Sequence, residues 1–467
     1  MGGMFGVVSE RDCVMDLFYG TDYHSHLGTK RGGMAVKSDL KFIRFIHNIE
    51  NNYFRSKFET DLPKIHGNKG IGVISDTDSQ PLVIGSHLGQ FSIATVAKVN
   101  NIEQLSKSAF ERKKTLSEIS GNEVSPTEVI SMLICEQENF KDGIVHAQEL
   151  VHGSCSILIL TDKGIYAARD KLGRTPLMIG RKAGAFVATS ETCAFHNLGY
   201  ELDRYLGPGE IVFITPDGVE QIKPPGDKMQ VCSFLWVYYG YPASSYEGIN
   251  VEIVRYRCGA MLAEHDDVEI DLVSGIPDSG IGHALGYANQ RRFPYQRPYV
   301  KYTPTWPRSF MPQNQPQRDL VARMKLIPIM DLIDGKRILF CDDSIVRGTQ
   351  LKENIQSIFD MGAKEIHMRI ACPTLIYPCE FLNFSSSRST LDLAGRKAIK
   401  QIEGTEDVNL QEYATAGSEK NRLMVDKIRQ NLKLTSLTYQ KMNDLVHSIG
   451  LPKDKLCTHC WDGSSYY

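Results

Sequence analysis

The sequence predicts a two-part chain: an α+β half of stacked sheets flanked by helices, followed by a doubly wound α/β half. Three observations carry this. Short β-like runs crowd the chain as far as Thr215, with few helical patterns between them. From about Cys232 onward, helical and strand patterns alternate, as in a doubly wound sheet. Between the two textures stands Pro224-Pro225-Gly226, the strongest breaker in the region, which places the boundary between residues 1–228 and 229–467.

In the first half, alternating or short apolar runs predict strands over Gly3 to Val8, Ile71 to Ser75, Leu82 to Gly85, Ser156 to Thr161, Ala185 to Thr189 and Glu210 to Thr215. Helical spacing predicts helices over Leu40 to Arg55 and Pro126 to Glu136. In the second half, helices are expected over Val251 to Glu264 and Ile281 to Arg292, and strands over Ile270 to Gly275 and Ile338 to Cys341. The polar stretch Glu403 to Glu419 reads as an exposed connection. Lys and Arg (53) nearly balance Asp and Glu (55), so there is no basic footprint for nucleic acid. No apolar run is long enough to cross a bilayer, and no secretory layout opens the chain, so a cytoplasmic setting is expected. Eleven cysteines over this length do not resemble a secreted disulfide framework; most are expected to be buried, a few to be metal ligands.

One segment carries chemistry by itself. Ile338 to Cys341 is an apolar strand that runs into Asp342 and Asp343, then Ser344, Ile345, Val346, Arg347, Gly348 and Thr349, where helical spacing begins and continues to Met361. A turn between a strand's carboxyl end and a helix's amino end presents free N–H groups and a positive dipole end to a phosphate. The two carboxylates repel phosphate, so their partners are ribose hydroxyls or a hard cation such as Mg2+. An isolated Asp-Asp-Ser would more often only cap a helix; the full run points to a phosphosugar.

This run resembles the 5-phosphoribosyl-1-pyrophosphate (PRPP) motif of type I phosphoribosyltransferases, and the whole chain resembles the glutamine PRPP amidotransferase family. Gly3-Met4-Phe5-Gly6, Ala168 to Gly173 and Gly207 to Val212 resemble blocks of that family's glutaminase domain. Pro277-Asp278-Ser279-Gly280 and Arg308-Ser309-Phe310 resemble blocks of its transferase domain. The resemblance implies an αββα domain of the N-terminal-nucleophile (Ntn) hydrolase type followed by a phosphoribosyltransferase domain. It also implies that Ser279, Asp342 and Asp343 form the metal and ribose site, that Ser344 to Thr349 cradle the 5-phosphate, and that the chain assembles as a tetramer or dimer.

Departures from the family matter as much. The position of the N-terminal cysteine nucleophile falls on Gly2, which has no nucleophile. The carboxylate-clamping arginine falls on Ser75, the oxyanion Asn-Gly on Val96-Ala97, and the acid that holds the substrate amine on Pro126. Cys13 is not terminal and has no adjacent amine to act as its base, so it reads as a buried structural cysteine. The expectation is a domain without glutaminase activity. The family's mobile loop is replaced by Lys301-Tyr302-Thr303-Pro304-Thr305-Trp306-Pro307, and Arg318, Arg323 and Lys325 follow it.

Cys457-Thr458-His459-Cys460 is a C-x-x-C pair, open by itself among zinc, iron–sulfur, redox and chance. Its surroundings, together with Cys232 and Cys379, resemble the ligand blocks of family members that carry an iron–sulfur cluster. The resemblance implies a four-iron cluster ahead of a structural zinc. Taken together, the expected activity is Mg2+-dependent displacement of pyrophosphate from PRPP by free ammonia, by ammonia from a partner glutaminase or by another amine. The alternative is a non-catalytic paralogue that binds PRPP or nucleotide and regulates or assembles with an active amidotransferase.

Overall fold

The computed structural model describes residues 2–38, 41–116, 119–120, 123–302, 326–382 and 389–466, with backbone alone at 119, 120, 123 and 350. The opening strand, Gly2–Ser9, shows why the first half is layered. Its side chains alternate across a sheet: Phe5 and Val7 join a core beneath the helices Val14–Asp22 and Phe54–Phe58, while Met4 and Val8 face a second sheet. Strand Gly153–Leu160 repeats the pattern on that second sheet. Leu158 and Leu160 point to the core between the sheets, whereas Ile157 and Ile159 point to a third core beneath the helices Pro126–Ile134 and Phe140–Leu150.

Four layers follow, helix on sheet on sheet on helix. The first sheet has seven strands in the order Glu201–Tyr205, Met178–Lys182, Ala185–Thr189, Gly2–Ser9, Lys69–Ser75, Arg31–Lys37, Phe42–Asn48. The second has six, in the order Gly218–Lys223, Ile211–Thr215, Ile165–Ala168, Gly153–Leu160, Gly89–Val99, Leu82–Ser86. The described strand pairings in both sheets are antiparallel. This is the αββα architecture expected of the first half.

The second half holds a four-stranded parallel sheet, Leu272–Gly275, Arg337–Asp342, Glu365–Ile370 and Ser436–Tyr439 in spatial order. Helices Val251–Glu264, Ile281–Arg291 and Met442–Ile449 pack together as one group, and Thr349–Asp360, Ala394–Glu403 and Glu419–Leu432 as another. The central strands are buried along nearly their whole length, as a parallel sheet covered on both faces requires.

Two expectations are corrected. Residues 42–48 form an edge strand, not a helix, paired in register with Arg31–Lys37. The apolar residues there fit either period; in the fold Ile43 and Phe45 reach the helix-side core while Phe42 packs on the inter-sheet core, so period two prevails. The stretch from Glu403 to Glu419 is not wholly an exposed connection: it contains a helix, Leu410–Ala414, whose Tyr413 is fully buried and donates its hydroxyl to Glu403 at 2.9 Å.

A buried ion pair ties the second sheet's frame together. The Arg369 guanidinium, on the strand Glu365–Ile370, donates to Asp266 just beyond the helix Val251–Glu264, and the hydroxyl of Tyr287, on the helix Ile281–Arg291, donates to the same carboxylate at 2.7 Å. Asp266→Ala leaves that guanidinium buried and unpaired, so it is expected to cost about 3–5 kcal/mol, read as a lower urea midpoint with little change in slope.

Candidate active site

The motif strand Arg337–Asp342 is the second of the parallel four, and it delivers both carboxylates to the sheet's carboxyl edge. The loop following the neighbouring strand Leu272–Gly275 folds back on it. Ile276 donates its N–H to the carbonyl of Cys341 at 3.0 Å, and the backbone at Gly280 lies so close that a Cβ would meet that same carbonyl oxygen at 2.1 Å. This approach puts the Ser279 hydroxyl 2.8 Å from Asp342 Oδ1, to which it donates. The Asp343 N–H donates to the same oxygen at 2.9 Å, and Ser344 Oγ donates to Asp343 Oδ2 at 2.6 Å. Gly348 then turns the chain at φ +73 and caps the helix Thr349–Asp360 without a side-chain acceptor, so the first-turn N–H groups stay available for an anion.

Ser279 and all of Asp342 to Thr349 line one cavity of about 570 Å3. Its remaining wall is formed by Phe234, Tyr238, Ile276, Leu375, Tyr377 and Leu393, among others, and Cys379 and Cys460 reach its edge. Asp342 and Asp343 are 9% and 5% exposed. Burial pushes the Asp342 carboxyl well above the usual carboxylate range and the charge of Asp343 adds to it; burial likewise raises Asp343, against the bonds it accepts. Two carboxyl groups that resist ionising together form an oxygen set suited to a hard cation that also takes substrate oxygens. Lys301 forms an exposed ion pair with Asp278, beside Ser279. Residues 303–308 of the expected loop, with Arg308, Ser309, Phe310, Arg318, Arg323 and Lys325, lie outside the described residues.

Residues 68–197 match the family model described as a glutamine amidotransferase domain. An amidophosphoribosyltransferase of Methanocaldococcus jannaschii is 30% identical over 489 aligned residues, covering 99% of this chain and 97% of its own. The chain belongs to the amidophosphoribosyltransferase family. The Bacillus subtilis member is 30% identical over 86% of this chain and 85% of its own. Among solved structures, the glutamine PRPP amidotransferase of B. subtilis complexed with ADP and GMP superposes with a TM-score of 0.82 at 27% identity, over 99% of this chain and 97% of that one. The structure described as the allosteric regulatory enzyme of purine biosynthesis gives 0.85 at 27% identity, over 99% and 96%. The two halves are thus the family's Ntn-type and phosphoribosyltransferase folds.

The residues that the resemblance places at the glutaminase positions lie close together. Gly2, Ser75, Val96 and Ala97 line one cavity of about 10 Å3, scarcely room for a single water. Gly2 pairs with Ser75 across adjacent strands, and a Cβ at Gly2 would meet the Ile74 carbonyl oxygen at 2.5 Å. Pro126 is not in the lining; it opens the helix Pro126–Ile134. A closed network of neutral polar groups surrounds one carboxylate there. Buried Asp78 accepts from Ser125 Oγ (2.8 Å), Thr127 N (3.0 Å), Thr77 Oγ1 (2.8 Å) and Gln80 Nε2 (3.0 Å). Gln80 also donates to Ser75 Oγ (3.2 Å) and the Thr95 carbonyl (3.0 Å), and accepts from Thr95 N (2.7 Å). Leu382 of the second half completes the lining. Its segment is held by Lys98 Nζ on the Cys379 carbonyl and Asn100 Nδ2 on the Glu380 carbonyl, both at 2.6 Å, and by Ser154 Oγ on the Phe381 carbonyl.

The four cysteines also meet. The short strands Val231–Cys232 and Leu456–Cys457 pair in parallel and put Cys232 beside Cys457, and the N–H groups of Ile376 and Tyr377 donate to the Cys460 carbonyl. Cys232, Cys379, Cys457 and Cys460 line a cavity of about 10 Å3 with Phe234, Phe381 and Trp461. The hydrogen bond with Cys460 pulls the Cys379 thiol down to about 6, against burial, while burial pushes Cys457 up to about 11. No three His, Cys, Asp or Glu side chains among the described residues stand where one metal ion could take them. Four thiols are a donor set that either an iron–sulfur cluster or a structural zinc can use. Cys13 and Cys341 are buried, as expected, with thiols raised by burial.

Sequence reasoning did not find the Asp78 network, the Leu382 contact or Arg255. The first is built of residues common in any turn, and the second joins positions remote in sequence. Arg255 sits on an ordinary helical pattern, yet it is buried and anchors the segment carrying Phe234 and Tyr238.

Because the Asp342–Asp343 pair holds protons more tightly folded than unfolded, ligand-free stability is expected to fall as pH rises from about 4 through the pair's raised range. Asp343→Asn should raise the ligand-free Tm by roughly 2–4 °C and abolish the further rise that Mg2+ with PRPP gives the wild type. That rise should be larger at pH 8 than at pH 6, as differential scanning fluorimetry can check.

Proposed function

We propose that this chain is a Mg2+-dependent phosphoribosyltransferase of the purine-biosynthesis type, in which an amine displaces pyrophosphate from PRPP, and that it hydrolyses no glutamine of its own. The contrast between its two cavities carries the reading: about 570 Å3 at the PRPP motif, about 10 Å3 at the glutaminase positions. Residues 1–228 are then a retained structural domain and 229–467 the working one.

Asp342, Asp343 and Ser279 would hold Mg2+, which when bound supplies positive charge to the leaving pyrophosphate. Ser344 to Thr349 hold the 5-phosphate on backbone N–H groups and the helix dipole. The sheet edge fixes the acid pair, so little reorganisation is needed as charge develops. Losing one oxyanion donor typically costs about a hundredfold in rate; here the nucleophile, clamp, donor and amine-binding positions are all changed, and Gly2 leaves no space for a replacement side chain. Cys232, Cys379, Cys457 and Cys460 would hold a four-iron cluster that ties the carboxyl-terminal tail to the body. The chain is proposed to act in the cytoplasm as a tetramer or dimer, with ammonia supplied freely or by a partner glutaminase, or with another amine.

The non-catalytic reading, a PRPP- or nucleotide-binding regulator of an active paralogue, has one observation in its favour: the Lys301 charge is spent on Asp278.

Pyrophosphate release from PRPP and Mg2+ separates these readings. Release is expected with ammonium, with a fall of at least a hundredfold in Asp342→Asn/Asp343→Asn, and no glutamate should form from glutamine above background. Glutamate formation at enzyme-like rates would overturn the proposal; PRPP binding without release under any amine supports the regulator. Anaerobically purified protein is expected to contain iron and sulfide in equal amounts and little zinc. Zinc alone, or no metal, would contradict the cluster.

A further inference from the structure

A second cavity, of about 270 Å3, opens at the same carboxyl edge of the parallel sheet, and the transferase reading makes no use of it. It lies between the end of strand Ser436–Tyr439, the segment after strand Glu365–Ile370, and the helices Leu410–Ala414 and Glu419–Leu432. Pro373, Thr374 and Ile376 line it, whereas Leu375, Tyr377, Pro378 and Cys379 line the 570 Å3 cavity. One short strip of chain thus divides two spaces that share no lining residue. Open α/β sheets take ligands at this edge, and small-molecule sites begin at roughly 300 Å3.

The walls are braced from both sides. The Asn421 side-chain amide donates to the Tyr413 carbonyl at 2.8 Å, and Ser418 Oγ accepts from the Asn421 N–H at 3.0 Å, which joins the two helices across the turn at Gly417. On the sheet side the Gln440 N–H donates to the Ile370 carbonyl at 2.8 Å. The buried part of the lining nevertheless carries polar groups that the fold leaves unsatisfied. Thr374 and Gln440 are 5% and 3% exposed, and neither Thr374 Oγ1 nor Gln440 Nε2 has a hydrogen-bond partner among the described residues. The Tyr439 hydroxyl, on the same wall, is in the same state. Orphaned buried groups are uncommon in folded proteins and call for an explanation; here three of them, each able to donate, line one cavity.

The exposed part of the lining has a different character. Arg422 and Lys441 pair with no carboxylate among the described residues, and Arg422 donates to the Gly417 carbonyl at 2.9 Å. Asp426, the one acid in the lining, already accepts from Arg429 Nε at 2.8 Å and Gln430 Nε2 at 2.6 Å. Pro373, Ile376, Val425 and Leu437 supply the apolar surface.

We propose that this cavity is a second ligand site, which takes a small organic carboxylate with an apolar body and a hydroxyl or carbonyl oxygen at its far end. The carboxylate meets Arg422 and Lys441, the body meets the apolar wall, and the far oxygen accepts from Thr374, Tyr439 or Gln440. A cationic ligand finds no free acid, since Asp426 is engaged. A phosphate ester is disfavoured for another reason. Phosphates are held at helix amino ends, and both helices that start beside this cavity, Glu419–Leu432 and Met442–Ile449, carry an acid in the first turn, Glu419 and Asp444.

The test titrates the full-length protein with 4-hydroxybenzoate, 4-hydroxybenzamide, 4-hydroxybenzylamine and 4-hydroxyphenyl phosphate, and reads binding by saturation-transfer NMR. The Kd for 4-hydroxybenzoate is expected to lie at least about tenfold below that for the other three, the order of one charge-assisted contact. Lys441→Ala, at an exposed position, and Thr374→Val, which keeps the shape of the side chain, should each weaken 4-hydroxybenzoate by about tenfold. The ligand-free Tm should be unchanged in the first and unchanged or higher in the second, because the hydroxyl lost from Thr374 has no partner. Equal or tighter binding of the amide, the amine or the phosphate overturns the ligand class. Binding that neither variant alters places the probe elsewhere and overturns the site, as does no binding of any of the four. PRPP and Mg2+ enter none of these readings, so every outcome leaves the transferase reading where it stands.

Discussion

Two carboxyl groups side by side at the end of a buried strand are the constraint around which the second half is arranged. Asp342 and Asp343 lie where water is scarce and each raises the cost of ionising the other. The parallel sheet puts them at its edge, the Ile276–Gly280 loop is pressed against Cys341 to bring Ser279 to them, and the turn through Gly348 opens a helix beside them. As a stability device this is a poor choice, since apolar replacements would serve the fold better. As a site for a cation and ribose hydroxyls it is coherent, and the strain it imposes is of the kind that binding relieves.

The first half shows the opposite economy. Its Asp78 carboxylate is satisfied by five donors, Ser75 Oγ among them, its cavity is small, and the segment from Cys379 to Leu382 is bonded across it by Lys98, Asn100 and Ser154. The same segment carries one of the four cysteines, so the closed pocket, the cysteine cavity and the edge of the PRPP cavity share one short stretch of chain. The first half thus supports the site of the second through that shared stretch.

Much of this was legible in the sequence, for identifiable reasons. Short apolar, β-like runs made Gly3 to Val8 and Ser156 to Thr161 readable as strands, and the apolar run into Asp342 announced both the strand and its turn. The edge strand at 42–48 misled because apolar residues at 42, 43, 45, 46 and 49 satisfy a helical period as well as they fill two sheet faces. Tyr413 was missed because one buried ring does not stand out in a polar stretch. The cysteine pairing through the strands at 231–232 and 456–457, and the plug at Leu382, depend on contacts between distant segments that local pattern does not encode. Gly2, Ser75 and Val96 had meaning only against a family resemblance. What the structure added is that the three line one cavity of about 10 Å3.

Nitrogen-15 tracing tests the central claim most directly. With PRPP and Mg2+ present, the protein would be given either amide-labelled glutamine with unlabelled ammonium, or labelled ammonium with unlabelled glutamine, and the new carbon–nitrogen bond followed by NMR. The account predicts label at the anomeric carbon from ammonium and none from glutamine. Label arriving from the glutamine amide would contradict it.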